Sequence, residues 1–402
     1  MQNKASSQPH KKTPFLFLGS LSAFSLLTFD LYQPALPAIT AYFNTSYELG
    51  QLTLSLFFFI FGFSQLFWGP LIDHFGRRKT LRIGLILFLV ATLGCIFSRN
   101  IEMLIVARAL QGFTVCCAHV VAFSSSRDEE DSTDRARILS HIAMIVSVSP
   151  IFAPLAGSLI FMHYGWQATF ILIGLLCIIL FVFAENVLCE SPYWLKKTDF
   201  GFLWQTSWNS YKEILKHKRF WISVFIVTSS YSCVMIVIVN AAYLIIDKLK
   251  ISPLNFAILF ASNGIVLILG NYLGIRLREK KSLFWNIHTA SELMVFGSGL
   301  MIILFYFQGL SLLSLAPTLL INLGVSLLNP PVFALALSDY QHQAGTATAV
   351  LNTVRMTCSA IVGGGIGILI VKHSIFLALG LFFCSLICLL LSFFVTPPTP
   401  SS

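Results

Sequence analysis

Twelve apolar stretches of about 18 or more residues follow one another along this chain, and they limit its fold more than any other feature. They occupy 15–36, 48–71, 81–98, 101–123, 138–161, 168–188, 220–246, 254–275, 285–307, 311–335, 345–371 and 374–395. As a helix, each is long enough to cross a hydrocarbon core of about 30 Å. A helix also pairs its own backbone groups where no water is available to do so. Charged residues make up only 11% of the chain, against about 25% in a soluble domain whose surface faces water. The expected fold is therefore all-α and integral to a membrane, with 12 transmembrane helices.

The charges that remain fall unevenly. Taking the even-numbered loops and both tails as one side, 20 Lys and Arg lie there, in the N-terminal tail and in segments 77–82, 127–137, 196–219 and 276–281. The other side carries only Arg99, Lys248, Lys250 and Lys372. This bias predicts cytoplasmic termini by the positive-inside rule; the resemblances given below imply a bacterial cytoplasmic (inner) membrane. The net charge of +9 is then a topology signal and does not call for nucleic acid. The basic tail 1–14 resembles a signal-peptide start, but the run after it ends in Tyr32-Gln33-Pro34 without a small-residue cleavage pattern, so it is read as a retained first helix. Nine cysteines sit almost wholly within apolar spans with no paired CxxC spacing, which predicts packing roles and no metal site.

The longest polar interval, Glu190 to Arg219, separates the sixth and seventh spans. Within it, 202–219 sets Phe202, Trp204, Trp208 and Tyr211 against Lys212, Lys216 and Lys218, an amphipathic pattern suited to an interface. The expected organisation is an N-terminal tail (1–14), a six-helix bundle (15–188), a cytoplasmic linker (189–219), a second six-helix bundle (220–395) and a C-terminal tail (396–402). Two parallel repeats of this kind place a binding site at their interface near mid-membrane. A single irregular bundle is the alternative.

Between the second and third spans the chain reads Gly69-Pro70-Leu71-Ile72-Asp73-His74-Phe75-Gly76-Arg77-Arg78-Lys79. Gly76 permits a tight turn, and the basic triplet can anchor at anionic headgroups. Asp73 ends its helix where a carboxylate can meet the positive end of another. The stretch resembles the GxLaDrxGrk signature (motif A) of the major facilitator superfamily. That resemblance implies a gate in which Asp73 meets the start of the eleventh helix, and Arg77, followed by Arg78, meets an acid matched here by Asp128. The plainer alternative is a basic turn that only sets topology.

The fourth span contains Arg108-Ala109-Leu110-Gln111-Gly112, similar to the family's RxxqG motif (motif B). An arginine inside a membrane costs several kcal/mol unless paired or hydrated, so it is a functional candidate. The first span carries Thr28-Phe29-Asp30-Leu31-Tyr32-Gln33-Pro34-Ala35-Leu36-Pro37. It resembles the TDxYLPALP signature of bicyclomycin-resistance-type drug:proton antiporters, with Gln33 where leucine is usual and Ser22 where some relatives carry a second acid. Asp30 lies roughly 22 Å from the cytoplasmic edge and Arg108 roughly 10 Å below the opposite face, at 1.5 Å per residue. The depths agree within a turn, so the two are expected to meet. Asp30 would exchange a proton between the two sides, with Arg108 tuning it; the alternative is a static pair that only joins helices.

In the fifth span, Ser149-Pro150-Ile151-Phe152-Ala153-Pro154-Leu155-Ala156-Gly157 resembles the antiporter motif (motif C). Pro150, Ala153, Pro154 and Gly157 are its expected working positions, small residues allowing close helix approach. The resemblance implies export. In the second half, Ala344-Gly345-Thr346-Ala347 looks like the AGTASAL stretch of the same branch. Glu292 and Arg355 count to similar depths and are expected to pair, the alternative being that Arg355 lines a cavity and attracts an anion. Tyr32, Gln111, Asn263 and Asn322 are further cavity candidates, while His119 and His141 are expected at the cytoplasmic interface.

These features predict a secondary active transporter, a proton-coupled antiporter exporting small organic molecules or drugs by alternating access. The second reading is a transporter of one metabolite or siderophore; the third is a membrane sensor. No P-loop, HExxH or GxSxG is present, so neither ATP-driven transport nor hydrolytic catalysis is indicated. The expected partners are a small-molecule substrate and the bilayer, with no cofactor beyond the proton gradient, and the chain is expected to act as a monomer.

Overall fold

The computed structural model describes residues 13–126, 132–190, 200–340 and 344–395. Twelve helices in it are long and apolar enough to cross a membrane: α1 (Phe15–Tyr42), α2 (Tyr47–Phe75), α3 (Arg77–Ile96), α4 (Ile101–Ser125), α5 (Arg137–Tyr164), α6 (Gln167–Val187), α7 (Lys218–Lys248), α8 (Pro253–Lys280), α9 (Leu283–Gln308), α10 (Leu312–Leu337), α11 (Gly345–Lys372) and α12 (Ile375–Ser392). A shorter helix, Phe200–Ile214, lies in the linker between α6 and α7.

Two helices depart from regular geometry where the sequence dictates it. Pro34 and Pro37 lack the N–H groups that an α-helix would use. The chain accordingly tightens into a 3₁₀ turn at Gln33–Ala35 before resuming at Leu36. The first span thus runs on to Tyr42 instead of ending near residue 36. Helix α7 ends in a π-helical turn, Tyr243–Lys248.

The helix pairings repeat. In the first six helices α1 packs on α4 and α5, α4 on α2 and α3, and α3 on α6. The second six reproduce this set, with α7 on α10 and α11, α10 on α8 and α9, and α9 on α12. One apolar core is built around Phe24, Phe57, Phe88 and Phe170 of the first half and reaches across to Met235 and Met356, and another is built around Val224, Ile287, Met294 and Leu381 of the second half. The halves join along two seams, α2 against α11 and α5 against α8. Large apolar side chains such as Val90, Phe183, Phe296 and Phe383 remain exposed on the outside, as the absence of water around a membrane bundle allows.

Candidate transport site between the two halves

Asp30 is the last residue of the regular part of α1, just before the 3₁₀ turn. Its side chain is buried and accepts a hydrogen bond from the Ser149 hydroxyl of α5 at 3.0 Å. Beside this pair, at the seam, lies a cavity of about 260 Å³ lined by Pro150 of α5, Tyr231 of α7, Asn271 of α8, Ser326 and Asn329 of α10, and Arg355 of α11. Tyr231 is within electrostatic range of both Asp30 and Arg355. The Arg355 guanidinium is stacked 4.4 Å from the Tyr231 ring centroid and 5.2 Å from that of Phe333. Its Nε is buried and donates to no acceptor among the described residues.

Arg108 does not pair with Asp30. It is fully buried inside the first half, over the rings of Tyr32 at 4.6 Å and Phe57 at 4.3 Å, with Phe170 at 5.9 Å. One of its nitrogens, Nη1, donates to Gln111 Oε1 at 2.8 Å and to the Thr28 carbonyl at 3.3 Å. Gln111 passes the network on to the Thr92 hydroxyl at 2.8 Å. Rings whose faces attract a cation, together with two oxygens, replace the expected carboxylate. The shared depth holds, since Thr28 is two residues from Asp30 along α1. The direction around the helix differs, and Asp30 turns to α5 instead. Tyr32, a cavity candidate, is likewise internal, its hydroxyl 2.8 Å from Thr53 Oγ1.

The expected Glu292–Arg355 pair is not formed either. The Glu292 side chain is 57% exposed and lies 3.4 Å from His288 one turn earlier on α9, whereas Arg355 faces the seam. Asn322 donates to Asn263 at 2.7 Å; Asn263 lines a separate pocket of about 40 Å³, and the larger cavity is served by Asn271 and Asn329 instead. His141 lies against Phe15, with 4.4 Å between ring centroids. His119 faces the interior of the first half. It is packed between α1, α2 and α4, with Nδ1 3.1 Å from the Ser22 hydroxyl and its ring against Phe61 and Phe123.

At the end of the bundle nearer the chain termini, Gly76 joins α2 to α3 with φ of +82°, a backbone state that favours glycine. A Cβ there would lie 2.7 Å from the Glu190 carboxylate. That carboxylate accepts the backbone N–H of Arg77 at 2.6 Å and of Arg78 at 3.3 Å, so it caps the positive end of α3. Arg77 Nη2 donates to the Ser124 carbonyl near the end of α4 at 2.9 Å. Arg78 Nη2 donates to the Glu185 carbonyl at 2.6 Å, and Arg82 grips the Glu185 carboxylate. Asp73 stands exposed on the last turn of α2, and a Cβ at Gly69 would meet nothing within 4 Å. Asp128, the expected partner of Arg77, lies outside the described residues. Sequence reasoning missed Glu190, although its position as the first acid after the sixth apolar run was a usable signal.

At the opposite end, the halves are tied together. The Gln33 side-chain amide donates to the Ile238 carbonyl. Tyr47 donates to the Val239 carbonyl at 3.2 Å and stacks on Tyr243 at 3.8 Å, and Ser158 donates to the Pro253 carbonyl at 2.9 Å. Gly157 lets α5 approach the backbone at Leu31, which a Cβ would strike. Ala153 and Pro154 are buried on the same helix, and Pro150 borders the cavity. Among the described residues, no group of three or more His, Cys, Asp or Glu side chains is placed to hold a metal ion.

Known proteins share both sequence and architecture with this chain. It is 28% identical over 371 residues to an uncharacterized transporter of Rickettsia bellii, covering 85% of this chain and 86% of the relative. It is 26% identical over 335 residues to the multidrug transporter MdfA of Yersinia pestis, covering 81% and 80%. The chloramphenicol resistance protein CraA of Acinetobacter baumannii is 23% identical over 356 residues, covering 86% and 84%. In three dimensions a D-xylose-proton symporter superposes with a TM-score of 0.73 at 15% identity, over 95% of this chain and 96% of that one, a likeness of fold. The Major Facilitator Superfamily model matches residues 18–363, from within α1 to within α11. With its twelve helices, its repeated pairings and the signature turn at Gly76, this multi-pass membrane chain belongs to the Major Facilitator Superfamily.

Proposed function

We propose that this transporter is a proton-coupled antiporter that exports small organic molecules across a bacterial cytoplasmic membrane, with both termini in the cytoplasm. The observation that carries the proposal is the setting of Asp30, a buried carboxyl at the seam whose hydrogen-bond partner is a hydroxyl. A hydroxyl can donate to a carboxylate or accept from a carboxylic acid, so both protonation states can be satisfied there. A guanidinium in its place would strongly favour the ionised form. Substrate and proton then use one neighbourhood in turn. Alternating access requires the ties at Gln33, Tyr47 and Ser158 to part while the other end closes, a rocking of one half on the other. The names of two relatives, a multidrug transporter and a chloramphenicol resistance protein, support export of such compounds.

Inverted membrane vesicles provide the test. With respiration generating an acidic interior, at least one member of a panel of neutral, cationic and zwitterionic drugs, chloramphenicol and ethidium among them, should dissipate part of the proton gradient, read as dequenching of a ΔpH-sensitive dye. No dequenching with any member of a broad drug panel would refute drug antiport.

A second reading, transport of one dedicated metabolite or siderophore, draws on Arg355. A cationic side chain stacked beside a modest cavity suits a substrate with a defined charge pattern better than a range of lipophilic drugs. A substrate profile confined to a single chemical type would favour it.

A further inference from the structure

The cavity at the seam has Arg355 in its wall, and Asp30 lies buried behind the same wall at Ser149–Pro150, not paired with it. Asp30 is held by Ser149, whose neighbour Pro150 forms part of the wall. Arg355 is held by the rings of Tyr231 and Phe333, and its Nε has no acceptor among the described residues. Tyr231 stands within electrostatic range of both. His119 is also within range of Arg355, but it is engaged with Ser22 and two phenyl rings. The remaining polar wall is neutral, from Asn271, Ser326 and Asn329. A singly charged cation entering here satisfies Asp30 but meets the repulsion of Arg355; a singly charged anion has the reverse problem. A molecule carrying both charges satisfies both.

We infer that the substrate is a small zwitterion, its cationic group taking the place of the proton at Asp30 and its anionic group held by Arg355. The inference rests on the antiport reading and deepens it. Exchange requires substrate and proton to exclude one another, and a cationic group at Asp30 does so. An anion alone at Arg355 would instead favour proton uptake at the nearby acid, and the two would travel together. Arg355 therefore sets specificity, while Asp30 sets the coupling. A volume of about 260 Å³ is just below the range of about 300 to 1,000 Å³ usual for drug-sized ligands, which suits a small molecule. The planar fork of an arginine suits a carboxylate, phosphate or sulfonate. Discrimination against singly charged analogues arises from the group left facing a like charge.

The experiment uses the full-length purified protein and two matched probe sets of different charge separation. The first is phenylalanine, phenethylamine and 3-phenylpropionate. The second is 4-(aminomethyl)benzoate, benzylamine and 4-methylbenzoate. Apparent affinity is read by ligand-induced thermal stabilisation. In at least one set the zwitterion should bind tenfold or more tightly than both singly charged analogues. Arg355→Gln should reduce it to the level of the amine, and Asp30→Asn to that of the acid. Asn329→Asp retains Arg355 but places a carboxylate in the same wall, so it should weaken the zwitterion similarly; it decides the matter if Arg355→Gln does not fold. Equal or absent binding of the zwitterion in both sets, or a preference that survives Arg355→Gln or Asn329→Asp, overturns the inference. Vesicle assays separate the two levels. Proton-driven export without zwitterion preference defeats this inference alone, while zwitterion preference without proton movement defeats the antiport reading.

Discussion

The Arg108 guanidinium donates to the carbonyl of Thr28, two residues before Asp30, and leaves the Asp30 carboxyl to the Ser149 hydroxyl. The first arginine of the membrane interior is thus part of the scaffold of the N-terminal half, and the first acid belongs to the seam. Removing each should have a different consequence.

Arg108→Ala empties the space under Tyr32, Phe57 and Phe170 and leaves Gln111 Oε1 with only the weak Cys95 thiol as donor. The loss of packing and of a charged hydrogen bond should destabilise the protein on the order of 3 kcal/mol. Melting in detergent should fall by several degrees, whereas Asp30→Asn, which keeps a polar side chain against Ser149, should melt close to wild type.

Gly76→Ala should be harmful for two reasons. It puts a side chain at φ of +82° and drives a Cβ against the Glu190 carboxylate. Backbone strain of this kind costs about 1–3 kcal/mol. Glu190→Ala removes the cap on α3 and should cost about 1 kcal/mol. In the double variant the total should fall short of the sum, because the Cβ clash disappears with the Glu190 carboxylate while the backbone strain remains. Melting temperatures of the three variants, set against wild type, measure this.

Cysteines at 47 and 243, in a background without reactive native thiols, should be joined efficiently by a short bis-maleimide, since the native rings stack at 3.8 Å. Cross-linking should stop transport by holding shut the end distal to the termini. Transport that continues at full rate after complete cross-linking would mean that this end does not open.

Much of the bundle was legible because lipid is a simple solvent. Length and apolarity located all twelve helices, and glycine, proline and basic residues at fixed spacing marked the Gly76 turn. Depth was legible too, since a helix rises a constant 1.5 Å per residue. Direction around the helix was not. Asp30 and Arg108 match in depth yet take different partners, and the 3₁₀ turn at Gln33–Ala35 that follows Asp30 is a local change of pitch no depth count detects. Arg355 and Glu292 failed as a pair for the same reason, one facing the seam and the other largely exposed on α9. The contacts Ser149–Asp30 and Glu190–Gly76 join residues 119 and 114 positions apart, and a serine or glutamate at such separation carries no pattern of its own.

In the proposed cycle Asp30 carries the coupled proton. Wild-type protein and Asp30→Asn should be reconstituted into proteoliposomes and compared for transport driven by an imposed pH gradient and for substrate counterflow without one. Asp30→Asn should lose gradient-driven accumulation while retaining counterflow at substrate concentrations raised to offset its weaker binding, since the halves can still rock around a bound substrate. Gradient-driven accumulation by Asp30→Asn at the wild-type rate would contradict it.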